Sequence, residues 1–465
     1  MTRRFTSRVP CAVVATFAAT VLASPPSPGG NWRRAEYGDL PHAIQSQWST
    51  ASAFDAFLHG VENDTRRRVA DGEREHLIYY ALQSNRFTSR PRIEPAISSR
   101  QFVAKLSEND RGRLLDDGSF LPTAGWPQAE RGRIDDLLAA LEKRPADVRL
   151  AYFRQLLSPE GGPLPVAESL YPDYVRVARF LYRKEFLDGG PAQVSELYRS
   201  RAHSSDTQIE AGFGVYAGLA TIHALDSSLR VRDVLIVGPG LDFAPRTDLI
   251  DAVPPQSYQP FAVADALLAL SLASDSDLRI HSVDVNPRVV DYIRGAARGQ
   301  VTLHVFTGIG ETPNRRYTDD FKTYVDRLGR AIGREATAPR GVAAERRYAH
   351  SIAVRPAIAH AMTAGLTNII TERPSAPAYD VVIATNLLTY FDDRELALAL
   401  ANIEATLRPG AYLLHNESRA GLAEVADAVG IPVLQMRTVV LGGRAGSPGQ
   451  PLYDAVWLHQ KSRIP

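Results

Sequence analysis

The sequence predicts an α/β fold for the second half of the chain, preceded by a mainly helical first half. After about residue 206, short runs rich in Val and Ile alternate with helical stretches, which is typical of parallel strands joined by crossover helices. The chain ends with two strand-like runs around the turn-rich segment GGRAGSPGQP, and this pattern predicts an antiparallel hairpin. We therefore expect a parallel sheet that is finished by one reversed strand.

The predicted strands are apolar runs bounded by turn residues. They are VRDVLIVG (231–238), LRIHSVDV (278–285), VTLHVF (301–306), YDVVIAT (379–385), AYLLHNE (411–417), VLQMRTVVL (433–441) and YDAVWLHQ (453–460). Between about 40 and 200, apolar residues instead recur at helical spacing, with breaks at Pro or Gly. The sequence thus predicts a helical domain over 25–205 and an α/β domain over 206–465.

The first 24 residues have the pattern of an export signal. A basic start that includes Arg3 and Arg4 precedes a short apolar run, and Ala23 closes a segment that resembles a cleavage site. The run is too short to anchor the chain in a bilayer. We expect a protein exported to the periplasm or the cell exterior. The alternative is a cytoplasmic protein with an apolar N-terminus.

Composition excludes several kinds of site. With 53 basic and 52 acidic residues, the net charge of +1 gives no electrostatic reason to expect a nucleic-acid partner. The only cysteine, Cys11, lies within the predicted signal, so disulfides and thiolate sites are not expected. The eleven histidines do not form a tight pair on one helical face with an acidic partner, and we predict no metal site.

A glycine-rich turn follows the first predicted strand. In VLIVGPGLD, the residues Gly238, Pro239 and Gly240 end a buried strand, where glycines let the backbone turn sharply and approach a nucleotide-like ligand. A nicotinamide-binding fold normally has a third glycine at the position of Phe243. That departure argues against a nicotinamide-dependent dehydrogenase, which we rank below the two hypotheses given at the end of this section.

An acidic residue ends the next predicted strand. In HSVDVNP, the carboxylate of Asp284 is placed to accept hydrogen bonds from both hydroxyls of a ribose. Pro287 then opens the following helix, at a position where its missing N–H costs nothing. Together with the glycine turn, Asp284 predicts a site that holds one adenosine.

The most specific segment spans residues 379–418, YDVVIATNLLTYFDDRELALALANIEATLRPGAYLLHNES. Its strand ends in Asn386, an acidic pair at Asp392 caps a helix, and Leu-Arg-Pro-Gly at 407–410 stops that helix. This segment resembles the class I methyltransferases, and among them most nearly the chemotaxis-receptor methyltransferases, which carry the same landmarks in the same order. The resemblance covers about residues 230–460.

The resemblance implies a Rossmann-like, seven-stranded sheet with the last strand antiparallel. It also implies that S-adenosylmethionine binds across the carboxyl ends of the strands and that its methyl group is transferred to an acceptor. In this family pattern, Gly238 and Gly240, with Pro239 between them, line the methionine and ribose of the cofactor. Asp284 holds the ribose.

Further site residues follow from the same resemblance. Val285 and Asn286 flank the adenine, Asn386 and Leu387 close over the cofactor from the fourth strand, and Tyr390 lies near the methyl-transfer face. For Tyr390, packing in the core is an equally good interpretation.

The polar partner of the adenine stays open between two residues. Thr307 follows VTLHVF and Glu372 follows LTNIIT, so either residue lies at a predicted strand end, and we slightly prefer Glu372. The chain also departs from the family pattern by two insertions, at about 241–260 and 307–372. Asp242, Tyr258 and Gln259 in the first insertion are candidates for a lid or substrate wall, and a tolerated surface loop is the alternative.

The sequence does not identify the methyl acceptor or a catalytic base. Tyr390, His415 and Glu417 lie near strand ends where a base would act, although His415 is better explained as a packed strand residue. The leading hypothesis is a methyltransferase of unknown acceptor. The alternative is a binding module that keeps the fold, and even the cofactor, without turnover.

Overall fold

The computed structural model describes residues 32–143, 146–187, 196–243, 249–308, 310–313, 315–339, 348–443 and 452–463. The predicted signal segment 1–24, with Cys11, lies outside the described residues, so export stays a prediction from sequence. No described helix is both long enough and apolar enough to cross a membrane.

The first half of the chain is mainly helical. Its elements are β1 (Trp32–Arg34), α1 (His42–Gln45), α2 (Ala51–Gln83), α3 (Pro95–Lys105), α4 (Glu108–Asp116), α5 (Gln128–Glu142), α6 (Val148–Leu157) and α7 (Tyr171–Phe186). The long helix α2 begins where the side chain of Thr50 accepts a hydrogen bond from the N–H of Ala53. It ends at Ser84, whose backbone is extended.

Helices and strands alternate in the second half. They are α8 (Glu210–Leu225), β2 (Asp233–Val237), α9 (Gln259–Ala269), β3 (Arg279–Asp284), α10 (Pro287–Arg298), β4 (Thr302–Phe306), β5 (Arg316–Tyr317), α11 (Asp319–Arg327), β6 (Gly333–Ala336), β7 (Ala349–Val354), α12 (Pro356–His360), β8 (Met362–Leu366), β9 (Glu372–Pro374), β10 (Tyr379–Ala384), α13 (Asp393–Thr406), β11 (Leu407–His415), α14 (Leu422–Ala428), β12 (Val433–Gly443) and β13 (Leu452–Gln460). The predicted α/β fold is therefore confirmed.

The main sheet has the strand order β5-β12-β13-β11-β10-β2-β3-β8. The strands from β11 to β8 pair in parallel, whereas β13 runs antiparallel to both β11 and β12. The predicted terminal hairpin is thus confirmed, and the last strand is reversed. Within the described residues this sheet has eight strands rather than seven, because Arg316–Tyr317 pairs with the end of β12.

The predicted strand VTLHVF lies outside the main sheet. As β4 it pairs antiparallel with β7, which also pairs with β6, in a separate three-stranded sheet. The neighbour of β3 in the main sheet is instead β8, which lies within the predicted insertion 307–372. A run of apolar residues predicts a strand but not its partner, and here the partner comes from the insertion.

The main sheet is buried on both faces. In β2, Leu235 and Val237 pack with α13, whereas Val234 and Ile236 pack with α8 and α9. Successive side chains of a strand point to opposite faces, so one apolar run serves two cores. The first core also contains Phe54 and other residues from the start of α2. The predicted boundary near 205 therefore does not separate the hydrophobic cores of the two halves.

Later turns of α2 belong to another core. Leu77, Ile78 and Tyr80 pack with residues of α3, α5, α6 and α7 in a helical cluster. The antiparallel pairing of β1 with β9 adds a second link between the beginning of the chain and the α/β half. The part of α2 between these two cores, with Thr65 and Val69, lies beside the carboxyl ends of the parallel strands.

Candidate functional site

A cavity lies where β2, β3, β8 and β10 end. It contains about 780 Å³ of empty space, including the part that is open to solvent. Its walls come from both halves of the chain. The lining residues are Thr65, Val69, residues 203–207, Val237, Gly238, Gly240, residues 283–286, 367–370 and 385–387, Tyr390 and Phe391. Since the carboxyl ends of parallel strands meet at one edge of a sheet, this is where an α/β fold places ligands.

The predicted sharp turn after β2 has a left-handed backbone at both glycines. Gly238 has φ +67° and Gly240 has φ +66°. A Cβ atom on Gly238 would lie 3.2 Å from Leu387, which lines the opposite wall. Both glycines line the cavity, whereas the intervening Pro239 does not.

Gly240 also serves a purpose that the sequence did not predict. A Cβ atom on this residue would lie 2.4 Å from the carbonyl oxygen of Ser205. The same carbonyl accepts a hydrogen bond of 2.7 Å from the N–H of Leu241, and Leu241 accepts one of 3.2 Å from Thr207. The absence of a side chain at Gly240 thus lets the segment 203–207 pack directly on the turn.

Asp284 ends β3 and lines the cavity. Its Oδ1 accepts a hydrogen bond of 2.8 Å from the N–H of Asn286. Burial raises the pKa of this carboxyl to about 6, although hydrogen bonds from nearby backbone N–H groups oppose the shift. The carboxyl is therefore ionised only above a pH of about 6.

The residues after Asp284 cap the next helix, which Pro287 opens as predicted. The side-chain oxygen of Asn286 accepts a hydrogen bond of 2.9 Å from the N–H of Arg288, and Pro287 occupies the first turn of α10. The side-chain amide of Asn286 donates in turn to Glu73 of α2. Val285 and Asn286 both line the cavity beside Asp284.

Asn386 follows the end of β10 and has a strained conformation. Its φ of +55° is left-handed, a region that Asn tolerates better than most residues. Its N–H donates to Oδ1 of Asn416 at 2.8 Å, and its own Oδ1 accepts from Nδ2 of Asn416 at 3.0 Å. This pairing holds Asn386 and the adjacent Leu387 against the cavity.

The sequence left Tyr390 open between a site residue and a core residue. In the structure it is buried in the core and also lines the cavity. Its ring lies 5.8 Å from Tyr198 and 5.5 Å from His203. Its hydroxyl accepts a long hydrogen bond of 3.5 Å from Arg201. Burial raises the pKa of Tyr390, so the phenol is neutral at physiological pH.

His203 forms the other side of this corner. Burial and the charges of Arg68 and Arg67 lower the pKa of His203 to about 3, so the imidazole is neutral. Within the described residues neither of its ring nitrogens forms a hydrogen bond, although the ring lines the cavity. A neutral imidazole and a neutral phenol therefore offer hydrogen bonds to a ligand here.

Glu372, the preferred partner of the adenine, does not line the cavity. Its carboxylate accepts a hydrogen bond of 2.7 Å from the N–H of Asn368 and so stabilises the turn before β9. Residues 367–370 of that turn line the cavity instead, and the side chain of Asn368 donates to Thr65 of α2 at 3.1 Å. Thr307 follows β4 in the separate small sheet and does not line the cavity either.

The candidates from the first insertion lie behind the cavity wall. Asp242 exchanges backbone hydrogen bonds with Gln256, and Tyr258 donates to the carbonyl of His304 at 2.6 Å. Gln259 donates to the hydroxyl of Thr385 at 2.6 Å. These three side chains are buried and do not line the cavity, so they support the wall rather than form it.

Two further candidates for a base are held inside the structure. His415 is fully buried, and its Nε2 lies 2.9 Å from Nε2 of His459, so it is the packed strand residue that we expected. Glu417 accepts a hydrogen bond of 3.2 Å from the N–H of Thr389, and burial raises its pKa to about 8. Neither residue lines the cavity, although Glu417 stabilises the turn that carries Tyr390.

No sequence pattern points to the cavity residues of the first half. Thr65, Val69 and residues 203–207 lie in segments whose pattern predicts only helix or loop. Long-range packing alone brings them to the strand ends. Among the described residues, no group of three His, Cys, Asp or Glu side chains is arranged to hold a metal ion.

Comparison with known proteins yields weak structural matches. No family model and no curated protein matches the chain. Among solved structures, the N-methyltransferase NodS from Bradyrhizobium japonicum with S-adenosyl-L-homocysteine is 12% identical, with a TM-score of 0.27, covering 54% of this chain and 87% of its own. The magnesium protoporphyrin IX methyltransferase from Synechocystis with bound S-adenosylmethionine is 10% identical, with a TM-score of 0.28, covering 60% and 89%.

A third match is the 1,6-didemethyltoxoflavin-N1-methyltransferase from Burkholderia thailandensis, which holds S-adenosylhomocysteine. It is 14% identical, with a TM-score of 0.26, covering 54% of this chain and 79% of its own. None of the three is a chemotaxis-receptor methyltransferase.

The contact between Gly240 and Ser205 gives a test of the site. We expect Gly240→Ala to lower the free energy of unfolding by more than the roughly 1–2 kcal/mol that a left-handed Ala costs, because its Cβ would also meet the Ser205 carbonyl. Gly421→Ala is the matched control, since Gly421 has φ +78° and no atom within 4 Å of a Cβ. Denaturant unfolding of both variants measures the difference, and equal losses would contradict the close contact.

Proposed function

We propose that the protein is an S-adenosylmethionine-dependent methyltransferase whose cofactor binds in the cavity at the strand ends. One observation carries the proposal. Asp284 and the glycine turn, which are separated in sequence, border the same cavity at the ends of neighbouring parallel strands. A carboxylate beside a turn without side chains suits a ribose and the chain attached to it.

The residues present fit such a cofactor. The Asp284 carboxylate receives backbone hydrogen bonds from Asn286, Gly240 and Val285 and also lines the cavity, and a carboxylate accepts about four hydrogen bonds in all. Gly238 and Gly240 both line the cavity, so a ligand would meet the turn at its backbone rather than at side chains. Leu387 and Ile369 supply apolar walls at the ends of two other strands. These features support adenosine binding independently of the sequence resemblance to the class I methyltransferases.

Most of the predicted residues receive a role in this proposal. Asp284 would bind the ribose hydroxyls, and Gly238 and Gly240 would lie along the ribose and methionine portion. Residues 367–370 would face the adenine in place of Glu372. Asn386 and Leu387 would close the opposite wall, since their backbone is fixed by Asn416. Pro239 would act only by shaping the turn.

The corner formed by Tyr390 and His203 is the proposed acceptor side. S-adenosylmethionine supplies an activated methyl group, so the protein mainly has to hold the acceptor in line and exclude water. Both side chains are neutral, and the His203 imidazole is too weak a base to remove a proton from an ordinary hydroxyl or ammonium group. Tyr390 and His203 would therefore orient the acceptor by hydrogen bonds. No catalytic base and no specific acceptor is proposed.

Calorimetric titration of the purified protein tests cofactor binding. We expect S-adenosylmethionine and S-adenosylhomocysteine to bind, because Asp284 and the glycine turn border one cavity. NAD is the control, and we expect no comparable binding because Phe243 stands where a dinucleotide fold has its third glycine. Absence of heat with both sulfur compounds would contradict the proposal.

Turnover requires a separate measurement. The protein is incubated with S-adenosylmethionine that carries a labelled methyl group, together with a metabolite extract. We expect labelled product and an equal amount of S-adenosylhomocysteine, because displacement at the methyl carbon releases one of each. Cofactor binding without any labelled product would favour the binding module over the enzyme.

The ribose carboxylate gives a specific prediction about affinity and pH. Asp284→Ala should weaken S-adenosylhomocysteine binding by about 1.5–3 kcal/mol, the usual value for a hydrogen bond to a charged group. In the wild type, affinity should be full above a pH of about 6 and should fall as the pH drops through that value, because the acceptor carboxylate becomes protonated. Asp277→Ala, at the exposed turn before β3, is the control and should bind normally. Unchanged affinity in Asp284→Ala would refute the assignment.

A further inference from the structure

We infer that Glu73, from the helical first half, is a positioning residue. It holds the ribose-binding loop 284–286 of the second half in place, and it influences the charge of the Asp284 carboxyl group. The inference rests on the proposed function, because it concerns how the Asp284 carboxylate is held. Part of the cofactor site would then belong to α2, which lies outside the methyltransferase-like segment of about residues 230–460.

Glu73 is a buried carboxylate in the middle of α2, with 4% of its surface exposed. Its Oε2 accepts hydrogen bonds from the Tyr152 hydroxyl at 2.6 Å and from the Arg288 guanidinium at 3.0 Å. Its Oε1 accepts one of 2.6 Å from the Asn286 side-chain amide. Burying an ionised group is costly unless such partners compensate it, so the position of the carboxylate is strongly constrained.

The connection from Glu73 to the candidate ribose site has two hydrogen bonds. The Asn286 side chain donates to Glu73, and the Asn286 N–H donates to Asp284 at 2.8 Å. The other end of the same side chain caps α10 through the N–H of Arg288. Asn286 therefore cannot turn its amide toward a ligand without breaking its bond to Glu73. The loop 284–286 is held from the α2 side as well as from its own helix.

Arg288 reinforces this arrangement. Its guanidinium lies 3.7 Å from the centre of the Tyr152 ring and 4.6 Å from that of Phe243. Stacking between two aromatic rings fixes the cation while it donates to Glu73. The network thus joins α2, α6 and α10 with the segment after the glycine turn.

The charge of Glu73 also acts on Asp284. Burial is the main reason why the pKa of Asp284 is raised to about 6, and the negative charge of Glu73 raises it further. Among the described residues, the charged or titratable groups near this end of the cavity include His76 on α2, Tyr152 on α6, Arg288 on α10 and Asp206 on the segment 203–207. Arg288 is bound to Glu73 rather than to Asp284. Glu73 therefore contributes, after burial, to the pH at which Asp284 becomes an acceptor for the ribose.

Two substitutions at Glu73 separate position from charge. Glu73→Gln keeps an oxygen that accepts from Asn286 but removes the charge. Glu73→Ala removes both. The probe is S-adenosylhomocysteine, titrated calorimetrically into the full chain between pH 5 and pH 8.5. Glu62→Gln is the matched control, because Glu62 lies on the same helix, pairs with Arg34 and is not among the groups that shift the pKa of Asp284. Circular dichroism melting checks that each variant is folded.

For Glu73→Gln we expect the pH midpoint of affinity to move down by about half a unit, because a nearby negative charge is lost. For Glu73→Ala we expect affinity at pH 8 to fall by about tenfold, since the loop loses its buried hydrogen bond. Glu62→Gln should change neither value. If Glu73→Ala does not fold, the midpoint of Glu73→Gln decides alone.

The outcomes distinguish this inference from the proposed function. If the wild type does not bind S-adenosylhomocysteine, the proposed function fails. If the wild type binds and Glu73→Gln keeps the same pH midpoint, with Glu73→Ala keeping its affinity, the inference is overturned while the proposed function stands. A lower melting temperature in Glu73→Gln without a midpoint shift would mean a structural role only, and it would also overturn the inference.

Discussion

The hydrogen bonds of the buried Glu73 carboxylate join the two halves of the chain beside the candidate site. An ionised group inside a protein must be surrounded by donors, and here the donors come from α6, α10 and the loop after β3. The apolar ends of α2 are less specific, because one packs with the sheet and the other with the helical cluster. Apolar packing brings α2 to the sheet, and the polar contacts of Glu73 fix it at the strand ends.

Left-handed backbone at strand ends shapes the rest of the cavity. Gly238, Gly240 and Asn386 all have positive φ values at the ends of neighbouring strands. Such residues turn the chain sharply where the strands end. The loops that follow therefore leave the cavity at the strand ends open. At Gly240 the space left by the missing side chain is taken by the Ser205 backbone, which closes the cavity from the first-half side.

The long insertion contributes to the sheet as well as decorating it. Residues after β4 form a small antiparallel sheet with β4 itself, and only then does the chain supply β8 as the neighbour of β3. The turn after β8, which lines the cavity, consequently comes from 367–370 and is tied to α2 by the bond from Asn368 to Thr65. The strand beside β3 therefore comes from the far end of the insertion, which sequence spacing does not predict.

Sequence by itself determined the α/β fold, the reversed final hairpin, and the strand ends at Gly238, Asp284 and Asn386. These features depend on local periodicity and on the backbone preferences of Gly, Asn and Pro, which act over a few residues. Only the tertiary structure decided that VTLHVF leaves the main sheet, that Glu372 stabilises a turn, and that α2 borders the cavity. Each of these depends on which distant segment satisfies a buried strand edge or a buried charge, and that choice is made by packing of the whole chain.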